Sequence, residues 1–265
     1  MLRAGLILAT SLLATNVAWA ETATPATETE SQQFARARLM EMAQFLSGAE
    51  KFSVTLRVGY DVVQADGQKI EFGEIRELSV HRSDQARIAE TSSDGKHDLL
   101  LFDGKHVTTF DGATKRYAQA PQPGDLDATA IYFVRDLQMR LPLAPMFTQQ
   151  FPQELQRRVK HIDYVERTTI LGVPTHHIAA RTENVDFQVW IADGKQPLPL
   201  RVVLSYPAAE GQPQFWANFS KWNMSPRFGK STFAFKPPAD AKQIPFAVQL
   251  LPQSGAPSLN QGGKP

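Results

Sequence analysis

The spacing of apolar residues changes period along the chain. Ser31–Ser47 carries apolar side chains at helical spacing and is followed by Gly48, which predicts one amphipathic helix that ends at this glycine. From Lys51 the period becomes two, which predicts a long strand with one apolar face. That face is formed by Phe52, Val54, Leu56, Val58, Tyr60 and Val62.

Short segments with strand-like composition follow on both sides of a central interruption. Turn sequences such as Asp66-Gly67, Asp103-Gly104 and Asp111-Gly112 separate them and predict hairpins. The predicted strands are Lys69–Val80, Arg87–Thr91, Asp98–Phe102, His106–Phe110, Lys115–Tyr117, Val159–Thr169, Pro174–Arg181, Val185–Ala192, Leu200–Tyr206, Gln214–Asn223 and Thr232–Phe235.

The interruption begins at Pro121-Gln122-Pro123-Gly124. Asp125–Arg140 has apolar residues at helical spacing, and Leu143–Gln150 predicts a second short helix after Pro142. The chain has no βαβ alternation and no long repeat. We therefore expect an α+β, mainly β protein with a single strongly curved antiparallel sheet of about ten or eleven strands. An N-terminal helix and a central helical insertion cover this sheet.

The two ends of the chain differ in composition from the middle. Met1–Arg3 is a short basic region, Ala4–Val17 is mostly apolar, and Ala18-Trp19-Ala20 has the small-x-small form of a signal-peptidase site. These features predict a secretory signal peptide over 1–20, cleaved after Ala20, and a periplasmic protein with no stable membrane span after cleavage. We expect a flexible linker over 21–30, one domain over 31–251 and a disordered tail over 252–265.

Charge and cysteine content exclude several classes of function. The chain has 28 basic and 27 acidic residues, and Arg3 of the leader is one of the basic ones. A mature chain with balanced charge argues against nucleic-acid binding. The chain contains no cysteine, which excludes disulfides, thiolate metal sites and thiol nucleophiles.

Enzyme signatures are weak. The chain lacks a nucleophile elbow, a phosphate-binding P-loop and a dinucleotide fingerprint. His176 and His177 are adjacent, and neighbours on a strand point to opposite faces, so we expect no shared metal. We predict no catalytic residues, no metal and no cofactor. A secreted hydrolase or metalloenzyme that uses these histidines remains a third hypothesis.

Several strands carry more large apolar side chains than a sheet covered by so few helices would need. Met and Phe residues of the central helices suit flexible apolar ligands, but the same residues are typical of a packed core, and both interpretations stay open. The large apolar residues in question are Phe133, Met139, Met146, Phe147, Phe151, Trp190, Phe215, Trp216, Phe219, Trp222, Phe233 and Phe235.

Four parts of the chain have a recognisable order and spacing. Besides the helical insertion, they are Val80-His81-Arg82 with Arg87-Ile88, Phe102-Asp103-Gly104-Lys105 with Thr109-Phe110, and Phe233–Pro238 with Ala241. Together they resemble the fold shared by the lipoprotein carrier LolA, its receptor LolB and the sigma-factor regulator RseB. A second set of motifs comprises Gly67-Gln68-Lys69, Gly172–His177, Val189-Trp190-Ile191, Pro197-Leu198-Pro199 and Pro213-Gln214-Phe215. This set gives a closer resemblance, to predicted periplasmic proteins with domain of unknown function 2092.

The resemblance implies a half-open β-barrel whose apolar face is closed by a helical lid and receives acyl chains. In the carrier, an arginine at a strand end holds the lid by binding helix carbonyl groups. Arg82 has the matching position, with Ser83 in place of proline, and Arg87 has the position of a second arginine. The expected cavity and lid residues are Phe133, Leu137, Met146, Phe147, Val54, Leu56, Trp190 and Trp216.

Two main hypotheses about function follow. The first is a non-enzymatic periplasmic carrier or chaperone that holds acyl chains of a lipid or lipoprotein in an interior left open for hydrocarbon. The second is an envelope sensor or scaffold that binds a protein partner through the same fold, as the sigma-factor regulator does. We also expect Arg82→Leu to change ligand retention more than stability, because a latch acts on lid opening.

Overall fold

The computed structural model describes residues 27–82, 84–122, 124–133 and 141–246 of the chain. The predicted signal peptide, most of the predicted linker, the predicted tail, Leu137 and Ser83 lie outside these residues.

One mostly antiparallel sheet contains all twelve strands of the described residues. Their order is β12-β6-β5-β4-β3-β2-β1-β11-β10-β9-β8-β7, and β7 and β12 do not pair with each other, so the sheet is not closed. The strands are β1 (Lys51–Val63), β2 (Lys69–His81), β3 (Gln85–Ser92), β4 (His97–Phe102), β5 (His106–Asp111), β6 (Arg116–Pro121), β7 (His161–Ile170), β8 (Val173–Arg181), β9 (Asp186–Ala192), β10 (Pro199–Ser205), β11 (Gln214–Asn223) and β12 (Lys242–Gln243).

The helices are α1 (Glu30–Gly48), α2 (Leu126–Ile131) and α3 (Phe151–Arg158), with a 3₁₀ helix at Ala144–Phe147. Helix α1 begins at a capping box, in which the Thr29 hydroxyl accepts from the Gln32 amide and the Gln32 side chain accepts from the Thr29 amide. These helices pack on one side of the sheet, which we call the helix face. The other side is the outer face. The prediction of a mainly β protein with one large sheet and an N-terminal helix is confirmed.

Strand alternation puts one buried layer on the helix face. Phe52, Val54, Leu56 and Val58 of β1 are each at most 3% exposed, and the residues between them point to the outer face. At the end of β11 the alternation breaks. Lys221 has a φ of 53°, and the pairing with β1 shifts there. This bulge turns Trp222 to the helix face, where its ring stacks on Phe219 at 5.7 Å.

Two predicted elements differ from the structure, and two observed elements were not predicted. Thr232–Phe235 is not a strand but part of a turn and an extended segment that crosses the outer face, where the Phe235 ring lies 5.2 Å from that of Tyr117. Of the predicted helix at Leu143–Gln150, only the 3₁₀ helix forms, and Pro145 lies within its first turn. Helix α3 and the short parallel strand β12 were not predicted. Of the predicted helix at Asp125–Arg140, α2 covers the first part, and residues 134–140 lie outside the described residues.

Candidate apolar site beneath the helices

Two apolar cavities lie between the helix face and the helices. The larger has a volume of about 230 Å³ and lies between α1, α3 and strands β9 and β10. The smaller has a volume of about 90 Å³ and lies between α2 and strands β1 to β3. Residues Pro142–Phe147 separate the two, and Leu143 lines both. The interior is therefore neither fully packed nor one continuous channel.

The larger cavity has walls from four elements that are distant in sequence. Leu39 and Met42 lie one helical turn apart on α1, and Val189 and Val202 are opposite neighbours on β9 and β10. Other apolar residues of the wall are Pro142, Leu143, Pro145, Met146, Phe151, Leu155, Val185, Phe187, Leu204 and Tyr206.

Charged side chains lie at one side of this cavity. Glu154 and Arg158 of α3 are among its lining residues, and Arg158 Nε lies 2.6 Å from a Glu154 carboxylate oxygen. A hydrogen bond from Arg157, with the charges of Arg158 and Arg157, holds the pKa of Glu154 below its usual value, although partial burial opposes this. Arg157 and Arg158 are about two-thirds exposed, so they face solvent next to the apolar wall.

Aromatic stacking fixes the 3₁₀ helix to the sheet. The Phe147 ring stacks on the fully buried Phe52 ring, with centroids 5.7 Å apart. Phe52 also contacts Trp222 at 5.8 Å, and the Trp222 indole donates to the Pro199 carbonyl oxygen at 3.0 Å. Burial of these rings contributes to stability and defines where the 3₁₀ helix rests.

Arg82 joins the 3₁₀ helix to the end of α1. Its Nη1 donates to the Phe147 carbonyl oxygen at 2.8 Å, its Nη2 to that of Leu46 at 2.7 Å and its Nε to that of Ala49 at 2.8 Å. The residue is only 8% exposed, and burial lowers the pKa of its guanidinium, an effect that the Asp127 carboxylate partly opposes. Two of these carbonyl groups lie at the C-terminal end of α1: that of Leu46, which also accepts from the Ala49 amide at 3.3 Å, and that of the C-cap residue Ala49.

A second contact joins the chain just after the 3₁₀ helix to α2. The Asp127 carboxylate accepts from the Gln149 amide at 2.8 and 3.0 Å. Asp125 caps α2 by accepting from the Ala128 amide at 2.8 Å. The 3₁₀ helix is thus bound on one side to α1 through Arg82 and on the other to α2 through Asp127.

A buried ion cluster lies next to the smaller cavity, of which Arg76 is a lining residue. The Arg76 guanidinium contacts the Glu74 carboxylate and donates through Nε to Glu90 at 3.1 Å. Burial raises the pKa of Glu74 to about 8, although the neighbouring Arg76 charge favours the ionised form. Burial therefore favours the protonated form of a carboxyl group at this end of the apolar face.

The predicted site residues do not all meet. Leu56, Phe133 and Phe147 line the smaller cavity and Met146 lines the larger one. Val54 belongs to the packed core beside them. The two cavities also contain residues that the sequence did not single out as site residues: Leu39, Met42, Arg76, Leu143, Leu155 and Tyr206. The apolar positions of α1 were the one signal for Leu39.

Trp190 and Trp216 lie on the outer face, not in the cavity that they were expected to line. The Arg201 guanidinium lies between them, 5.6 Å from the Trp190 ring and 5.5 Å from the Trp216 ring. The His177 ring stacks on the Trp190 ring, with centroids 4.0 Å apart. Alternation explains the difference, because Val189 and Ile191 face the helices and Trp190 between them faces away.

Arg87 also lies away from the lid. It pairs with Ser79 and Leu101, while Ile88 beside it lines the smaller cavity, so its side chain points to the outer face. The structure brings Arg82 alone of the two arginines to the helices.

The adjacent histidines have separate surroundings on opposite faces. His176 Nδ1 lies 3.1 Å from the Tyr164 hydroxyl and its Nε2 lies 3.3 Å from an Asp193 carboxylate oxygen. His177 Nε2 lies 3.0 Å from the Gln188 side-chain oxygen. Within the described ranges, no group of three His, Asp or Glu side chains is arranged to hold a metal ion.

Among the described helices, none has the length and apolar character needed to cross a membrane.

Comparison with known proteins gives a family and several distant structures. No curated protein matches the chain. The solved structures include LprF from Mycobacterium bovis (12% identity, 79% of this chain, 98% of that chain, TM-score 0.46) and a LolA superfamily protein from Nitrosomonas europaea (9%, 78%, 99%, 0.36). The MucA/MucB complex from Pseudomonas aeruginosa is also similar (16%, 77%, 61%, 0.42).

At identities and TM-scores this low, the structural likeness carries no argument about what this chain does. The family match covers most of the chain and agrees with the resemblance seen in its sequence motifs. Residues 35–247 match the family described as "Predicted periplasmic protein (DUF2092)", and the chain belongs to that family.

Proposed function

We propose that this protein is a periplasmic, non-enzymatic carrier that binds acyl chains of a lipid or lipoprotein between the helix face and the lid formed by α2 and Pro142–Phe147. The observation that carries the proposal is the pair of apolar cavities on either side of Leu143, beneath a lid that Arg82 fastens. In this proposal the sheet is the wall of a strongly curved half-open barrel, and Arg82 is the latch.

The energetics of such a site need no catalyst. Each methylene that leaves water for an apolar cavity gains ~0.8 kcal/mol, so one long chain supplies most of a micromolar affinity. The walls of both cavities are almost entirely apolar, and the charged Glu154 and Arg158 stand at the side of the larger one. These charged side chains suit a polar group that remains near solvent.

In this proposal a ligand enters when the lid moves, because the cavities as they stand are small. The larger cavity measures about 230 Å³, below the roughly 300–1,000 Å³ of small-molecule sites. Displacement of Pro142–Phe147 would join the two cavities. The described structure then corresponds to the closed form, with Arg82 bound to the lid.

The periplasmic location rests on the family and on the sequence. The family is described as predicted periplasmic. We infer that residues 1–20 direct export and are removed after Ala20, so that the mature chain begins at Glu21. Periplasmic fractionation and N-terminal sequencing of the mature protein test this part of the proposal.

A fluorescent fatty-acyl probe tests the carrier hypothesis. The mature protein is titrated with the probe, and saturable binding at micromolar concentration is expected. Val202→Phe projects extra volume into the larger cavity and is expected to weaken binding about tenfold or more. Val203→Phe is the matched control, because Val203 is similarly buried but faces away from the cavity.

Two outcomes would overturn the carrier hypothesis. One is the absence of saturable binding by the folded parent protein. The other is equal binding by the Val202→Phe and Val203→Phe variants when circular dichroism shows that both are folded, since that result would place the probe elsewhere.

A second candidate, an envelope sensor or scaffold for a protein partner, is favoured by one observation. Strand β7 is an edge of the sheet, and exposed apolar side chains lie on it and at the turn to β8: Val165 (49% exposed), Leu171 (85%) and Val173 (40%). Sheet edges of this kind accept an added strand. A pull-down from envelope extract that recovers the same partner with lipid-loaded and lipid-free protein, and loses it with Val165→Lys, would favour this candidate.

A further inference from the structure

A polar pocket lies on the opposite side of the β2–β3 turn from the Arg82 latch. Its volume is about 520 Å³, and it differs from the apolar cavities in being lined by charged and polar side chains together with two aromatic rings. The lining comes from the beginning of β1, the end of β2, the beginning of β3, the β4–β5 turn and the segment 226–234. The residues are Lys51, His81, Gln85, Asp103, Pro226, Phe228, Gly229, Lys230, Phe233 and Ala234.

Strand register builds one wall of this pocket. Lys51 pairs with His81 across β1 and β2, and His81 pairs with Gln85 across β2 and β3. The three side chains therefore form a row across three neighbouring strands. His81 Nδ1 lies 3.3 Å from the Gln85 side-chain oxygen, which ties the row together. Each of these residues is half-buried.

The opposite wall is the segment 226–234, which is held by its own contacts. The Phe228 and Phe233 rings pack edge to face at 4.9 Å, and Phe233 is only 6% exposed. The Thr232 amide donates to the Gly229 carbonyl oxygen at 3.0 Å. Lys230 of this segment is exposed and also lines the pocket, so the lining contains two lysines, Lys51 and Lys230.

The charges of the pocket are unbalanced. Within the described ranges, neither Lys51 nor Lys230 forms an ion pair. The one lining carboxylate, Asp103, accepts through Oδ1 from the Lys105 amide at 2.9 Å and the His106 amide at 2.7 Å, so it is engaged in the β4–β5 turn. The nearby Asp84 carboxylate lies against Gly104 of that turn and is not part of the lining.

We propose that this pocket binds a phosphate group, with Lys51 and Lys230 as its cationic ligands and His81 and Gln85 as additional hydrogen-bonding groups. A tetrahedral anion has enough acceptor oxygens to engage several such groups at once, and lysine binds phosphate as a point charge. Phe228 and Phe233 provide apolar contact for the organic part of the ligand. The site lies outside the apolar cavities and does not depend on the acyl-chain hypothesis.

Calorimetric titration of the full mature protein with phenyl phosphate and with inorganic phosphate tests the proposal. Saturable binding that weakens as ionic strength rises is expected. Lys51→Ala and Lys230→Ala should each weaken binding by about tenfold or more, the loss that accompanies removal of one charge-assisted hydrogen bond. Lys195→Ala is the matched control, since it removes an exposed lysine from the β9–β10 loop.

The outcomes distinguish a free phosphate ligand, a phospholipid headgroup and the absence of a phosphate site. Binding of the soluble phosphates identifies a free ligand. Binding only to phosphatidylglycerol vesicles, lost in both pocket variants and absent with phosphatidylcholine vesicles, identifies a lipid headgroup. No saturable binding of either kind, or affinities of the two pocket variants equal to that of Lys195→Ala, would overturn the proposal. Acyl-probe binding measured on the same proteins reports separately on the apolar site.

Discussion

The Arg82 guanidinium donates to the Phe147 carbonyl oxygen at 2.8 Å, although the two residues are 65 positions apart in sequence. The same side chain donates to Leu46 and Ala49 at the end of α1. One buried cation therefore fastens the 3₁₀ helix to the N-terminal helix. Since the contact on the lid side is a single hydrogen bond, the lid can separate from Arg82 while α1 remains capped.

We predict that Arg82→Leu releases a bound acyl probe faster, by about tenfold, because the lid loses its hydrogen bond to the latch. Stopped-flow displacement of the probe measures the release rate. Arg87→Leu is the matched control, since Arg87 is on the outer face of the neighbouring strand. Equal release rates for the two variants would contradict the latch.

The structure adds a cost in stability to this prediction. One of the three bonds of Arg82 satisfies the carbonyl oxygen of Ala49, the C-cap of α1, so Arg82→Leu also removes the guanidinium from this acceptor, at about 1–3 kcal/mol, whereas the Leu46 carbonyl oxygen keeps the Ala49 amide at 3.3 Å. The latch effect must therefore be read at a temperature at which the variant is folded. A label on a cysteine introduced at Thr148 gives a direct measure of lid movement, because the chain has no other cysteine.

We predict that Leu143→Ala joins the two cavities and strengthens acyl-probe binding, while it lowers the stability of the ligand-free protein by about 2–5 kcal/mol. The ligand should recover part of this loss, so the rise in Tm on adding probe is larger for the variant than for the parent. Leu101→Ala is the control, since Leu101 is 2% exposed and lines neither cavity. Equal Tm shifts in both variants would exclude Leu143 as the partition.

The sequence predicted the sheet well because one signal, alternation, was repeated over many strands. The long run from Phe52 to Val62 and its return after Gly67 define β1 and β2 without tertiary information. Helix α3 was missed because its eight residues include Pro152 and only two large apolar or aromatic side chains, Phe151 and Leu155, too few to show a helical period. Strand β12 has two residues, and its pairing with Arg116 and Tyr117 depends on contacts distant in sequence.

The site was less predictable, because the pairing register of the strands decides which face of the sheet a side chain lies on. Trp190 and Trp216 are large and apolar, and composition alone grouped them with the cavity residues. Their neighbours Val189 and Phe215 are buried on the helix face, which sends both indoles to the other side. Leu143 and Arg76 line the cavities only because separate elements meet there, and nothing local in the sequence marks such a meeting.

We predict that Gly59→Ala destabilises the protein because Trp216 covers this glycine. An added Cβ would lie 2.4 Å from ring atoms of the indole, which donates to Glu71 at 3.0 Å. The expected cost is about 1–3 kcal/mol in urea unfolding, and it should shrink in a Trp216→Leu background. Additive effects of the two substitutions would show that contact with the indole is not the cause of the cost. Acyl-probe binding should be unchanged, since both residues are on the outer face.

The last prediction concerns pH and rests on Glu74. Burial raises its pKa from 4.5 to about 8 in the folded protein. Between these values the folded state retains a proton that the unfolded chain has released, so the free energy of unfolding falls as pH rises through this window. Glu74→Gln keeps the shape of the neutral side chain and removes the titration. We therefore expect the free energy of unfolding of the variant to rise relative to that of the parent by roughly 1–3 kcal/mol between pH 5 and pH 8. This range allows for the ion pair of Glu74 with Arg76.

Urea unfolding at pH 5, 6, 7 and 8 measures this difference for Glu74→Gln and for Glu77→Gln, which changes an exposed carboxylate on the same strand. The Glu77 variant should follow the parent at every pH. Parallel profiles for all three proteins would mean that Glu74 is ionised throughout and that Arg76 outweighs its burial. If instead the free energy of unfolding of the parent matches that of Glu74→Gln only at low pH, Glu74 holds a proton in the folded protein. This proton lies beside the smaller cavity, where Arg76 lines the wall that an acyl chain would contact.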